Sequence, residues 1–265
     1  MSDILDISKN IIRDSKKIVF FTGAGISEES GIPTFRDVDG IWSKYDPNEF
    51  GTWNKLISLI LFNPSRSANF LFDFISPIAR ACPNIAHEAI AILAKRKDVN
   101  VITQNIDGLH QRGGISRVIE LHGSLLESRH IWASSVCTHR TADLQDLSKR
   151  LQTQAQHGTD ALRLLRCLKP FVRISLRGIW LPNLILFGQQ LNQRVWQEAC
   201  ARLDESDTMV IVGTSLDVYP AARLLQQARV RKMNIIHIDA RRKSSGDLSI
   251  TGRSTDILPK ICDIY

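Results

Sequence analysis

The polar residues best suited to chemistry in this chain follow short apolar runs. Ile18-Val19-Phe20-Phe21 leads into Thr22-Gly23-Ala24-Gly25-Ile26-Ser27, and Val99 to Thr103 leads into Gln104-Asn105-Ile106-Asp107. Val118 to Leu121 precedes His122-Gly123-Ser124, Thr208 to Val212 precedes Gly213-Thr214-Ser215, and Asn234 to Ile238 precedes Asp239. The small residues at 23–27 can turn backbone N–H groups toward a pyrophosphate, although a tight turn that needs small residues reads the same. His122 has the near-neutral imidazole that suits a general base, and a single histidine also serves structurally. Asn105 and Asp107 would stand close together at a loop mouth, as ligand groups or as turn formers. Asp239 can accept from a ribose hydroxyl or sit solvated. Arg36, after Phe35, can clamp a phosphate or carboxylate or point into solvent.

Short apolar strands alternating with helical patterns position these residues. The pattern predicts an α/β fold, a Rossmann-like parallel sheet with helices on both faces. Strand-end loops of such a sheet converge on one crevice. Ile4, Ile7, Ile11 and Ile12 predict a helix before the first strand, and Asn84 predicts the N-cap of another. Asn183 to Phe187 reads as a further strand, ending at Phe187-Gly188. Residues 45–80 read as two cap helices broken by Pro64 and Pro77. The expected domains are a Rossmann-like one from 1–43, 81–127 and 181–265, a helical cap at 44–80, and an insertion at 128–180.

At 265 residues, with 43% hydrophobic and 23% charged, the chain has enough material for one sizeable core and a smaller module. No apolar run approaches the roughly 20 residues that span a bilayer, so no membrane partner is expected. The N-terminus lacks a signal h-region and an acid-poor presequence, and the five cysteines are scattered and odd in number. Reduced thiols in cytoplasm or nucleus are expected. The net charge of +7 sits mostly in residues 128–180, which hold nine Lys/Arg against three Asp. That segment keeps a nucleic-acid-binding reading open.

In order and spacing, GAGIS, GIPTFR, TQNIDGLH, ELHGS, FG and GTSLDVYPAA resemble the sirtuin family of NAD-dependent protein deacylases. The resemblance implies removal of acyl groups from protein lysines, giving nicotinamide and O-acyl-ADP-ribose. It implies that Gly23, Ala24, Gly25 and Ser27 form the pyrophosphate loop and that Phe35 and Arg36 belong to a mobile loop over the nicotinamide ribose. Gln104, Asn105 and Asp107 then serve the ribose and nicotinamide pocket, Asn105 orienting a hydroxyl or water. His122 is the implied catalytic base. Gly213, Thr214, Ser215 and Asp239 fall at the adenosine half, and Phe187, Gly188 and Val218 at the edges that hold the acyl-lysine peptide. Alternatives on the same fold are an ADP-ribosyltransferase or NAD hydrolase, or a catalytically silent protein binding NAD or nucleic acid.

The segment after HGS departs from the family, which carries two CxxC pairs there around a structural zinc. Here Ser134-Ser135-Val136-Cys137 and Cys167-Leu168-Lys169-Pro170 keep one thiol each. Cys137 and Cys167 are an incomplete set for a four-ligand site, even with His130, His139 and His157 in the same segment. Without metal the segment reads as a loose, partly helical insertion. Gln189 replaces the usual acid after Phe187-Gly188. The Tyr and Arg that mark a preference for dicarboxylic acyl groups are missing from Asn69 to Ile75, so acetyl or another apolar acyl group is expected.

Overall fold

The computed structural model describes residues 2–34, 40–176, 178–216, 219–220, 222–241 and 248–263. The strands are β1 (Lys17–Thr22), β2 (Asp98–Thr103), β3 (Val118–Glu120), β4 (Gly123–His130), β5 (Val136–Thr138), β6 (Arg173–Ser175), β7 (Gly178–Leu184), β8 (Thr208–Val212), β9 (Asn234–Asp239) and β10 (Leu248–Thr251). The first helices are α1 (Ser2–Asp14), α2 (Ile41–Lys44), α3 (Pro47–Phe50), α4 (Trp53–Phe62), α5 (Pro64–Arg80) and α6 (Ile85–Ala94). Then come α7 (Leu109–Arg112), α8 (Thr141–His157), α9 (Ala161–Cys167), α10 (Gln193–Asp204), α11 (Arg223–Val230) and α12 (Ser254–Ile261). Two compact units result, one from residues 1–30, 82–122 and 191–265, the other from 31–81 and 123–190.

The larger unit holds a six-stranded sheet in the order β10-β9-β8-β1-β2-β3. Every pairing in it is parallel. Side chains of a strand alternate between faces, and the apolar runs use both. Ile18 and Phe20 of β1, Val210 and Val212 of β8, and Ile236 and Ile238 of β9 point to one core, under α1, α6 and α12. Val19, Phe21, Met209, Ile211 and Ile235 point to the other, under α10 and α11. From β1 the chain proceeds through β2 and β3 on one side, and from β8 through β9 and β10 on the other. The reversal lies between β1 and β8, and the carboxyl ends of strands at such a switch point are where open α/β sheets bind ligands. The predicted cap of α6 is present: Asn84 Oδ1 accepts from the backbone of Ala86 and His87, and His87 Nδ1 accepts in return from Asn84 N.

The smaller unit is built differently. β5-β4-β7-β6 form an antiparallel sheet of four strands. Of the strand expected at 183–187, only Asn183 and Leu184 are strand, the end of β7, which pairs with β4 and not with the parallel sheet. The 44–80 and 128–180 segments share this unit, and residues 31–43, 123–127 and 181–190, expected in the Rossmann-like domain, go with it. Pro77 does not end its helix, which runs on to Arg80, while Pro64 occupies the first turn of α5, where a missing N–H is tolerated. The segment expected to be loose is ordered by apolar burial: Leu144, Leu147 and Leu151 line one face of α8, which packs on α5 and α9. Leu164, Leu168 and Phe171 are buried with them. Phe50, Phe70, Tyr45 and Trp42 form an aromatic cluster, with Phe50 and Phe70 rings 4.5 Å apart. Among the described residues no helix is long and apolar enough to cross a membrane.

Candidate active site

The loops after β1 and β8 meet so closely that their glycines are required. A Cβ on Gly25 would lie 2.7 Å from Gly213 Cα, and one on Gly23 equally close to Gly213 O. Gly213 itself takes a φ of +58°, which only glycine adopts without strain. Gly25 N donates to Gly213 O at 2.9 Å, while Ile26 N and Ser27 N close a 3-10 turn onto Gly23 O and Ala24 O. Gly23 N donates to Val212 O at 3.0 Å, so four of the five amides read as an anion cradle are engaged within the protein. Ala24 N is the loop amide left with no hydrogen bond among the described residues.

A buried polar chain runs from this loop to the end of β2. Asn105 Nδ2 donates to Gly23 O and to Ser27 Oγ, each at 3.1 Å. Ser27 Oγ donates in turn to Asp107 Oδ2 at 2.8 Å, and Leu109 N donates to Asp107 Oδ1 at 2.9 Å. The carbonyl of Gly23 accepts only, so the amide of Asn105 is oriented and both its N–H bonds are used. Its Oδ1 is the atom that remains to accept from a ligand. Burial pushes the Asp107 carboxyl up, and the Leu109 and Ser27 hydrogen bonds offset part of that.

His122 follows β3. Its Nδ1 lies 2.9 Å from the carbonyl O of Gln104, which can only accept, so Nδ1 carries the proton and Nε2 is the basic nitrogen. Burial lowers its pKa below the ordinary 6.5, with the Gln104 carbonyl working the other way. Gln104 is itself held at three points: its N donates to Thr22 O, and its Nε2 donates to Thr214 Oγ1 at 2.7 Å. One residue therefore joins the ends of β1, β2, β3 and β8. Ser215 and Asp239 stand at the same carboxyl edge, after β8 and at the end of β9. Asp239 Oδ1 accepts from Arg241 N at 2.8 Å.

Sequence reading missed the layer beneath. Thr22 and Thr103 are in register on β1 and β2. Thr22 Oγ1 donates to Thr103 Oγ1 at 2.8 Å, Thr103 Oγ1 accepts from Asn105 N, and His110 Nε2 lies 2.9 Å from Thr22 Oγ1. Burial drives His110 well below 6.5 and His87, its ring 4.9 Å away, to about 4, so both are neutral supports. The available signal was a threonine ending each of two adjacent apolar strands.

Phe187 and Gly188 lie in the smaller unit. Phe187 N donates to Gly51 O, and its ring sits 5.5 Å from that of Trp42, close enough that a Cβ on Gly51 would strike it. Phe35, Arg36 and Val218 fall outside the described residues. Cys137 is on β5 with its thiol toward Thr138 O, and Cys167 is buried at the end of α9. Among the described residues no three His, Cys, Asp or Glu side chains converge as metal ligands. His139 is committed elsewhere, its Nε2 2.7 Å from Ser128 Oγ and its ring 4.3 Å from Phe171. The donor set does not fit a tetrahedral zinc site, and buried leucines and Phe171 occupy the supporting role. Metal analysis of the purified protein should find less than about 0.1 zinc per chain, and a chelator should leave the melting temperature unchanged. One tightly held zinc per chain would contradict that reading.

A sheet wound in both directions from β1, with its polar loops gathered at the switch point, defines a doubly wound α/β ligand-binding protein. The sequence profile of the Sir2 family matches residues 23–220. NAD-dependent protein deacylase 2 of Archaeoglobus fulgidus is 37% identical over 99% of this chain and 96% of its own. The NAD-dependent protein deacylase of Pseudomonas putida is 34% identical over 94% and 90%. A structure described as a Sir2 homologue–NAD complex superposes with a TM-score of 0.76 at 28% identity, covering 98% of this chain and 92% of that one. The chain belongs to the Sir2 family.

Proposed function

We infer that the protein is an NAD-dependent deacylase of protein lysines, releasing nicotinamide and forming O-acyl-ADP-ribose. The observation that carries this reading is His122, whose basic Nε2 is fixed by the Gln104 carbonyl at the same sheet edge as Asn105, the amide whose Nδ2 is engaged and whose Oδ1 is left to accept. The residues present fit NAD: an amide at Ala24, a carboxylate at Asp239 and close-packed glycine loops at the switch point suit a dinucleotide. Bound NAD supplies a nicotinamide leaving group and a ribose hydroxyl to which the acyl group passes. His122 takes the proton from that hydroxyl, Asn105 Oδ1 accepts from a hydroxyl or water to orient it, and Asp107 accepts from the nicotinamide amide. Gly23, Ala24, Gly25 and Ser27 face the pyrophosphate, with Ser27 acting through its bonds to Asn105 and Asp107. Gln104 positions His122 on the ribose side, and Gly213, Thr214, Ser215 and Asp239 hold the adenosine half. Phe187, Gly188 and Val218 take the peptide, and Phe35 and Arg36 cover the nicotinamide ribose. The absence of a Tyr and Arg pair from Asn69 to Ile75 supports an apolar acyl group. The five cysteines are free thiols, which supports a reducing location in cytoplasm or nucleus.

Incubation with NAD and an acetyl-lysine peptide tests the reading. Nicotinamide and O-acetyl-ADP-ribose should appear in equal amounts, and a succinyl-lysine peptide should react more slowly. Nicotinamide release that is unchanged without peptide would instead indicate NAD hydrolysis, label on the protein would indicate ADP-ribosyl transfer, and no release would indicate a silent binder.

A further inference from the structure

In the smaller sheet β7 runs antiparallel to both β4 and β6, with Trp180 opposite His130 on one side and Arg173 on the other. The chain leaving β4 and the chain entering β7 therefore lie at one end of the sheet, where Ile131 N donates to Ile179 O. That end carries Ile131, Trp132 and Leu176, all exposed, with Trp132 73% exposed and Leu176 completely so. Val136 and Ile174 on the two edge strands are exposed as well. The tip stands on a row of ring contacts that crosses the sheet: Trp132 edge-to-face with His130 at 6.1 Å, His130 edge-to-face with Trp180 at 5.3 Å, and the Arg173 guanidinium 4.5 Å over Trp180. Large apolar side chains gathered in the open on a supported edge mark a contact surface.

The charge of residues 128–180 is mostly positive, and the acid beside them on β4, Glu127, accepts from Asn183 Nδ2. Of the three acids in residues 128–180, Asp143 pairs with Arg140, Asp146 with Arg150 and Asp160 with Arg163. Arg129 and Arg173 on the sheet, with Lys149, Arg166 and Lys169, have no acidic partner among the described residues. Two copies of such a face would repel each other. Nucleic acid would use the cations and Trp132 but gives no cover to Ile131, Val136, Ile174 and Leu176. An anionic lipid surface satisfies both halves: aliphatic and indole side chains enter the headgroup boundary, and the arginines meet lipid phosphates.

We propose that the end of the β5-β4-β7-β6 sheet docks the protein on anionic membranes, with Ile131, Trp132 and Leu176 inserted and Arg129 and Arg173 at the headgroups. This runs against the sequence expectation of no membrane partner. Full-length protein should co-sediment with phosphatidylcholine vesicles containing about a third phosphatidylserine, and at least tenfold less with phosphatidylcholine alone. The double variant Trp132→Ser, Leu176→Ser should lose at least tenfold in vesicle affinity with an unchanged melting temperature. Each of Arg129→Gln and Arg173→Gln should weaken binding roughly fivefold. Binding should also fall with salt. The proposal is overturned if phosphatidylserine vesicles do not bind, if the double variant binds them as well as the parent does, or if a 20-nucleotide oligo-dT binds more tightly than vesicles.

Discussion

His122→Ala is expected to lower kcat/KM for deacylation by about 10²- to 10⁴-fold, the range for loss of a positioned general base, while the NAD dissociation constant stays within a few fold. The reason is the single bond at Nδ1. The Gln104 carbonyl fixes both the tautomer and the ring plane, so Nε2 is the acceptor at all times and needs no reorganisation. Burial depresses the imidazole from its ordinary 6.5. The base form then predominates at neutral pH, and the acid limb of kcat/KM should be centred below about 6.5. A pH–rate profile and NAD titration of both proteins check this. Activity in His122→Ala equal to the parent, or an acid limb centred above pH 7, would remove His122 as the base.

The larger sheet was legible because parallel strands are buried on both faces. Ile18 to Phe21 and Met209 to Val212 read as continuous apolar runs, and the polar residues after them had to be at the carboxyl edge. What the sequence could not tell was how those residues use their hydrogen bonds. Gly23 and Gly25 read equally well as anion cradle or tight turn, and the structure shows them spaced for contact with Gly213 and Thr214. The strand at 183–187 was misplaced because a short apolar run carries no mark of its partner; only its pairing with β4 shows it to be antiparallel. Residues 128–180 looked loose because their composition is polar, yet Leu144, Leu147 and Leu151 recur at helical spacing and α5 supplies the surface that buries them. Strand β10 went unread, since Leu248–Thr251 is too short to stand out and is recognised by its register with β9.

Asn105→Ala is expected to cost about 10²- to 10³-fold in kcat/KM, comparable with removal of one oriented polar group from a reaction centre. The case rests on which atoms of the amide are engaged. Gly23 O and Ser27 Oγ hold Nδ2, and Thr103 Oγ1 holds the backbone N, so Oδ1 is aimed by three contacts. Alanine removes that acceptor, whereas Gly23 O retains Ile26 N and Ser27 retains Asp107, so the fold should lose only about 1–3 kcal/mol. Asn105→Asp is the sharper variant, because it keeps Oδ1 and the size of the side chain. It sets an oxygen 3.1 Å from Gly23 O and brings a second carboxylate onto the Ser27 hydroxyl that Asp107 already shares. The aspartate protein should therefore be no more active than the alanine protein, and its melting temperature lower. An aspartate variant that keeps most of the parent's kcat/KM would mean that the two N–H contacts do not aim Oδ1, and the role assigned to Asn105 would fall with them.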